Sequence, residues 1–494
     1  MKTFYFIPAL LLFFTNPSFS QWSQVGETIW GEVSGDGAGK EVCLNSQGNV
    51  IAIGVRSNDG NGTASGHVRI FELIDGNWIQ LGDDIDGENS HDFSGASVDL
   101  SEDGYTVAIG ADGNDGGGDG SGHIRVFNYN GSDWVQIGED IDGVSANDQC
   151  HTTSISADGK IVAAGSHYND EFGTNSGQVR VFQLLDDEWV QMGSSIYGQN
   201  SADYAGTSVS LSSDGLTLAI GVIGVDIPGV GTGQVWVYNF NGTDWELKGE
   251  AISGDFYSPG LGWSTALSAD GLTVIASSPT SSYGPSLAGR ASIFRYVSGE
   301  WIQLGDNING DEYTARLGES VDINSDGSII VVGEPYRNFD GEQDYGRVRI
   351  FGFNDGEWVQ ISEDIYGHSL HNAAGYSVSL AVYEEKITVA MGLPGGTFEG
   401  ATEIYELGIS NIENVVNHAQ PILLPGNDNS YLLFSKGDEL NGKVELFNTG
   451  GQKVLEKDIH GTESFSVPTM QSEGLYLLRY TSDNQSQSVY KLIF

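Results

Sequence analysis

The residues of this chain whose types and spacing could do chemistry are acids set in glycine-rich stretches. Asp112, Asp115 and Asp119 share one such stretch. Clustered carboxylate oxygens there suit a hard cation, and weak calcium binding is the one cofactor expected. Glu334, Asp340, Glu342 and Asp344 crowd a second stretch and are expected to form an interaction face. His368 and His371 stand three apart in a loop without a third ligand and read as solvated. Gly35 to Lys40 has the glycines of a phosphate loop but not its spacing or its Ser/Thr, and it precedes a strand, so it reads as a turn. No G-x-S-x-G, H-E-x-x-H, C-x-x-C or EF-hand pattern occurs. Paired carboxylates for glycoside hydrolysis stay open, because 67 acids make some pairing inevitable.

What positions these residues is a repeat. The stretch Trp134 to Gly143, WVQIGEDIDG, has close copies beginning at Trp22, Trp78, Trp189, Trp245, Trp301 and Trp358, about 56 residues apart. Each unit reads as four strands. In the second copy these are 95–101, 105–110 and 123–129, then the strand opened by Trp134, with Asp103-Gly104 as a hairpin signal. Four short strands repeated seven times predict an all-β fold, a seven-bladed β-propeller. First strands are expected to begin at Gly39, Gly95, Cys150, Gly206, Gly262, Gly318 and Gly375. The last blade then has only three strands, and the orphan strand at Trp22 to Ile29 is expected to complete it.

Columns of the repeat read mainly as packing. The fourth-strand tryptophans and the isoleucine seven residues on (Ile85 and Ile141, for example) read as core between blades. Gln80, Gln136 and their equivalents read as hydrogen-bonding positions. Arg69, Arg125, Arg180 and Arg349 are expected to partner acids. Cys43, Asp99, Ser154, Ser210, Ala266, Asp322 and Ser379 mark one small or polar site on the inner strand, suited to the crowded centre of the ring. Connections from the second to the third strand, and from the fourth to the next blade, are long and acidic and share one face. Functional variation is expected on that face.

Composition narrows the partners. Lys and Arg number 21 against 67 Asp and Glu, a formal charge of −46, which argues against nucleic acid and anionic membranes. Two cysteines, Cys43 and Cys150, exclude a disulfide scaffold and are expected to be free thiols on different blades. Residues 1–20 read as an export signal: Lys2, an apolar run from Phe4 to Phe14, and cleavage between Ser20 and Gln21. No transmembrane segment is expected after its removal, and a monomer is expected.

The pattern W-x-Q-x-G-x-x-I-x-G, then G-x-S-V-x-L-S-x-D-G, V-A-I-G and G-x-V-R-V-F, resembles the bacterial relatives of the FG-GAP, integrin-α-type propeller over residues 21–408. Calcium-binding members of that family carry acid-rich loops. The equivalent hairpins here (101–104, 156–159, 268–271) are too short and too poor in acids. Residues 409–427 read as a linker, and 428–494 as a small β-sandwich of alternating strands. That piece resembles the type A C-terminal sorting domain of the type IX (Por) secretion system of Bacteroidetes, through GKVELFNTGGQKVLEKDI (442–459), EGLYLLRYTSD (473–483) and VYKLIF (489–494). The resemblance implies type IX machinery as a partner, and a secreted or outer-surface location. The expected function is non-catalytic binding of an extracellular protein or glycan. The rival is a secreted polysaccharide- or peptide-degrading enzyme with its site at the propeller mouth.

Overall fold

A computed structural model describes residues 22–408, apart from 228, 257–258, 284, 339–342, 355, 369–370 and 396–398, and strand segments between 422 and 493. Every regular element among the described residues is a strand. No helix there is long and apolar enough to cross a membrane. The cleavage position at Ser20 and Gln21, and the acids Asp340 and Glu342, lie outside the described residues.

Residues 22–408 form seven antiparallel sheets in the order inner, second, third, outer, six of them built from consecutive strands. In the second blade these are Ser94–Leu100, Thr106–Ala111, His123–Tyr129 and Trp134–Gln136. The fold is a seven-bladed β-propeller. Its seventh sheet pairs the third strand Ala401–Gly408 with the chain's start, Ser23 against Glu406 and Ile29 against Thr402. The ring is therefore closed by the N-terminal strand, as the orphan copy of the repeat requires.

Two details differ from the sequence reading. Each outer strand is broken in two, as in Trp134–Gln136 and Ile141–Asp142, which pair separately with the same third strand. The intervening turn is held by the recurring glutamine: Gln136 Nε2 donates to Asp140 Oδ1 at 2.7 Å, and Gln80 to Asp84 at 2.6 Å. The third blade is one residue short at its start. Cys150 pairs with Gly122 as Ser94 does with Gly66, so His151 takes the glycine's column and the strand begins at Thr152.

Second strands such as Val50–Val55 and Thr106–Ala111 are buried along their whole length, because both faces meet neighbouring blades. This explains runs like V-A-I-G, which do not alternate. One core cluster joins Val68, Ile70 and Leu81 of the first blade to Val107, Phe127 and Trp134 of the second. Equivalent clusters fill the other seams, each large side chain contributing about 1.5–3 kcal/mol.

The outer tryptophan locks each seam with a hydrogen bond as well. Trp134 Nε1 donates to Leu81 O at 2.7 Å, and Trp189 to Ile137 O at 2.9 Å. Trp78, Trp245, Trp301 and Trp358 repeat this contact. Trp22 reaches Glu363 O instead, at 3.1 Å. The motif glycine makes room for the indole: Gly82 has φ +66°, and a Cβ there would stand 3.0 Å from Trp134 Cδ1.

The recurring arginines bind carbonyls before acids. Arg69 donates to Trp30 O at 2.6 Å and Arg125 to Asp86 O at 2.7 Å, while Glu32 and Glu88 stand 3.9 Å away. The expected acid partnership is thus secondary, because the adjoining blade's outer strand leaves that carbonyl facing the guanidinium. Arg349 is the exception and does pair with Glu334 at 2.6 Å.

Beyond residue 408 two sheets form: one of three strands, and one ordered Lys453–Thr462, Leu440–Asn448, Leu475–Ser482, Gln487–Ile493. Strand Ile422–Pro425 lies inside the stretch read as a linker and pairs with Tyr431–Phe434, so the second unit starts earlier than its turn residues suggest.

Candidate ligand site at the central mouth

Seven inner strands converge on the axis with their edges unpaired. An exposed strand edge carries N–H groups that need acceptors, and polar side chains from the preceding blade supply them. Ser154 Oγ accepts from Leu211 N at 3.1 Å, Ser210 from Leu267 N at 3.0 Å, and Ser379 from Leu44 N at 3.0 Å. Asp99 accepts from Ile155 N at 2.8 Å and Asp322 from Leu380 N at 2.7 Å. The small-or-polar column is therefore stitching between blades. It lines the narrower end of the axis, a cavity of about 220 Å³. Burial pushes the Asp322 carboxyl up to about 7 and raises that of Asp99. Cys43, a free thiol like buried Cys150, donates to Asp99 Oδ1 at 3.3 Å.

The other end opens into a cavity of about 540 Å³, on the face of the long loops. Its rim is drawn from one column of the repeat, the residue after the inner-strand glycine: Ala96, Thr207, Trp263, Glu319 and Tyr376, joined in the shortened third blade by His151 from the glycine's own column. Those glycines hold left-handed backbone, such as Gly95 at φ +85° and Gly262 at φ +100°. Gly95 also packs on a glycine near the end of the preceding blade's second strand: a Cβ on it would lie 3.1 Å from Gly54 Cα. The rim residues therefore sit on rigid backbone, while their side chains share no common type.

The rim is chemically mixed. Trp263 is 37% exposed, and the Arg316 guanidinium lies 5.6 Å from its ring and 5.5 Å from that of Tyr336. Arg316 also pairs with buried Glu319 at 3.2 Å. Burial raises the Glu319 carboxyl, with Arg316 opposing. Burial, then Glu319, pushes the Tyr376 hydroxyl up to about 12. On the tier below, Ser97, Thr152, Ser208, Ser264, Ser320 and Ser377 are interrupted by Glu41, whose carboxyl burial pushes up to about 8. Across the mouth, His151 and His167 rings stand 5.4 Å apart, and burial, then His151, holds His167 down to about 3. Tyr168 and Tyr204 meet edge to face at 6.0 Å beside them.

No protein-family model matches the sequence, and no curated protein does. Solved structures do. The hydrazine synthase of Kuenenia stuttgartiensis matches with 14% identity over 74% of this chain and 94% of its own, at a TM-score of 0.46. The periplasmic gluconolactonase PpgL of Pseudomonas aeruginosa matches with 13% identity over 86% and 98%, at 0.44. The β-propeller domain of the Trilobed protease from Pyrococcus furiosus matches with 12% identity over 82% and 99%, at 0.42.

The residues singled out in the sequence fall elsewhere. Asp112 is half-buried and paired with Arg56 at 2.6 Å. Asp115 accepts from Gly120 N at 2.8 Å within its own loop, and Asp119 is exposed. Among the described residues, Asp112, Asp115 and Asp119 do not bring three ligand atoms together. Glu334 ends its strand fully buried between Arg347 and Arg349, both at 2.6 Å, so it offers no surface to a partner. Asp344 stands 3.1 Å from His371 Nδ1. His368 is 3.1 Å from Glu403. The hairpin aspartates close their own turns: Ser101 Oγ donates to Asp103 at 2.7 Å, and Asp103 accepts from Tyr105 N at 2.9 Å.

Sequence reasoning missed Glu41, His151, Glu319 and Tyr376. The missing signal was vertical. Stacking the seven copies exposes a column that varies in size and charge beside a glycine column that barely varies.

Proposed function

We propose that this protein is an exported, non-catalytic binding propeller of the FG-GAP-like kind that seats a glycan in its central mouth. The observation that carries the reading is the rim column. Positions that hold blades together repeat across the ring, so a column that varies freely beside them is released from packing and available for recognition. The cavity has the volume of a small-molecule site. Trp263 and Tyr376 offer aromatic faces and the serine tier offers hydroxyls, a combination that suits sugar rings. Export rests on the signal-like residues 1–20 and on the resemblance of the C-terminal strands to a type IX sorting domain. A calcium ion is left out, since Asp112 is committed to Arg56 and Asp115 to its own loop.

One observation favours a second reading. Glu41 and Glu319 both lie at the mouth with raised carboxyl pKa values, and perturbed groups gather where acid–base chemistry is done. A polysaccharide-degrading enzyme would use Glu41 as its acid.

A panel of neutral and uronate-containing oligosaccharides, titrated against the propeller with tryptophan fluorescence as the readout, separates the two. Saturable quenching without new reducing ends or unsaturated products supports binding. Product release that Glu41→Gln abolishes establishes the enzyme instead. Saturable quenching that survives Trp263→Ala removes the mouth from either reading.

A further inference from the structure

Two seams of the ring carry the same three side chains in register. Glu32, His67 and Asp84 meet between the seventh and first blades. Glu88, His123 and Asp140 meet between the first and second, each 56 positions further on. In both groups one ligand atom from each residue lies within 4.8 Å of the other two. His67 and His123 are each 1% exposed.

The distances are wrong for hydrogen bonds and right for a shared ion. His67 Nδ1 stands 3.4 Å from Asp84 Oδ2, and His123 Nδ1 stands 3.5 Å from Asp140 Oδ2. A nitrogen–oxygen hydrogen bond is about 2.7–3.2 Å. Two donors on one tetrahedral zinc, each bonded at about 2.0–2.2 Å, stand roughly 3.3–3.6 Å apart. His123 Nδ1 is buried, faces Asp140 and has no hydrogen-bond partner; at His67 the buried nitrogen without a partner is Nε2, while Nδ1 faces Asp84. The second oxygen of each aspartate is already held, by Gln80 at 2.6 Å and Gln136 at 2.7 Å, which fixes the carboxylate as supporting residues do around metal ligands.

The other seams show what this slot demands. In the fifth and sixth blades the histidine's place is taken by Arg290 and Arg347, and carboxylates again face it. Arg290 binds Asp255 at 2.9 Å, and Arg347 binds Asp311 at 2.8 Å and Asp364 at 3.2 Å. In the third and fourth blades the place is held by Gln178 and Gln234, and the facing positions are Val144 and Gln199, which carry no charge. Carboxylates in this slot thus come with a cation built into the chain, and their absence comes with a neutral amide. The first two seams have the carboxylates and, in the cation's place, an imidazole with a lone pair to give. Arg69 and Arg125 stand 3.9 Å from Glu32 and Glu88 and offset one of the two negative charges.

We propose that these two seams are twin sites for a divalent transition-metal ion of the zinc class, each held by one imidazole and two carboxylates. Imidazole with carboxylates suits zinc, whereas calcium takes six to eight oxygens. Glu32 and Glu88 are 48% and 42% exposed, which leaves a path for the ion and a coordination position for water.

The full chain, stripped with chelator and dialysed against zinc chloride, should take up two zinc ions in excess of any other binding. His67→Gln and His123→Gln should each remove one, and the double variant both. Glutamine already fills this position in two blades, so melting of the variants without metal should match the parent. Cobalt should give visible absorption bands that fall by half with each variant, and millimolar calcium should displace neither metal. Uptake that does not drop by one ion per variant, or no uptake by the unaltered chain, overturns the proposal; the second result would mean that the histidines are simply hydrogen-bonded or charged.

Discussion

At the outer edge of the ring, indole after indole repeats one contact, from Trp78 on Val25 O to Trp358 on Leu304 O. At the mouth, the residues after the inner-strand glycine share only their place: an alanine, a threonine, a tryptophan, a glutamate and a tyrosine, joined by a histidine from the glycine's column in the third blade. Both sets belong to the same seven blades. The outer set faces a neighbour of nearly constant geometry, so one solution serves six of the seven seams, Trp22 alone reaching a different carbonyl. The inner set faces an open cavity that requires no particular side chain. In a repeat protein, agreement between copies reports what the fold needs, and disagreement beside agreement reports where it leaves freedom.

The largest effect comes from breaking the outer pattern where it is not covalently continuous. Removing residues 22–30 takes away the outer strand of the seventh blade and exposes the edge of Ala401–Gly408. The expected outcome is loss of a cooperative melt and aggregation, read by calorimetry and light scattering.

A paired substitution sharpens the contrast. Trp134→Ala, at 8% exposure and with its hydrogen bond to Leu81 lost, should cost about 3–5 kcal/mol in denaturant unfolding and leave ligand affinity unchanged. Trp263→Ala, on the rim, should cost about 1 kcal/mol or less and weaken saccharide binding tenfold or more. Equal costs to stability would erase the distinction.

The pH dependence divides the same way, because the strongly raised carboxyls line the axis. The folded state holds the Glu41 proton up to about pH 8, against an ordinary value near 4.5. A folded pKa above the unfolded one contributes stability that is fully present below the unfolded value and is lost as pH rises through the folded one. Asp322, at about 7, acts with the same sign. Melting temperature should therefore fall between pH 5 and pH 9, and Glu41→Gln should flatten that fall. The smallest effect is expected at the acidic loop. Asp112→Asn breaks a partly exposed pair with Arg56 and should shift stability by about 0–1 kcal/mol, with millimolar calcium leaving the melt unchanged.

The blade count, the ring closure and the turn signals were legible in the sequence because each is a local consequence of one repeated job. Ser101 and Asp103 close a hairpin with residues at most five positions away. Glu334 was not legible: it stands at a strand's end just before a proline, where a loop acid would, and its burial depends on Arg347 and Arg349 in the next strand. The broken outer strand was hidden because Ile141–Asp142 is two residues long and has no periodicity. The mouth was hidden for a different reason. Along the chain, Glu41 and Tyr376 are single residues at or just before the start of an inner strand, and only the closed ring brings blades one and seven to a common cavity.

The most direct test replaces the rim and leaves the seams alone. A chain carrying His151→Ser, Trp263→Ser, Glu319→Ser and Tyr376→Ser would be compared with the parent by calorimetry and by titration with the oligosaccharides that quench its fluorescence. The two should melt cooperatively at closely similar temperatures, and only the parent should bind. Binding that survives the replacement, or a rim whose loss unfolds the ring, would contradict the account.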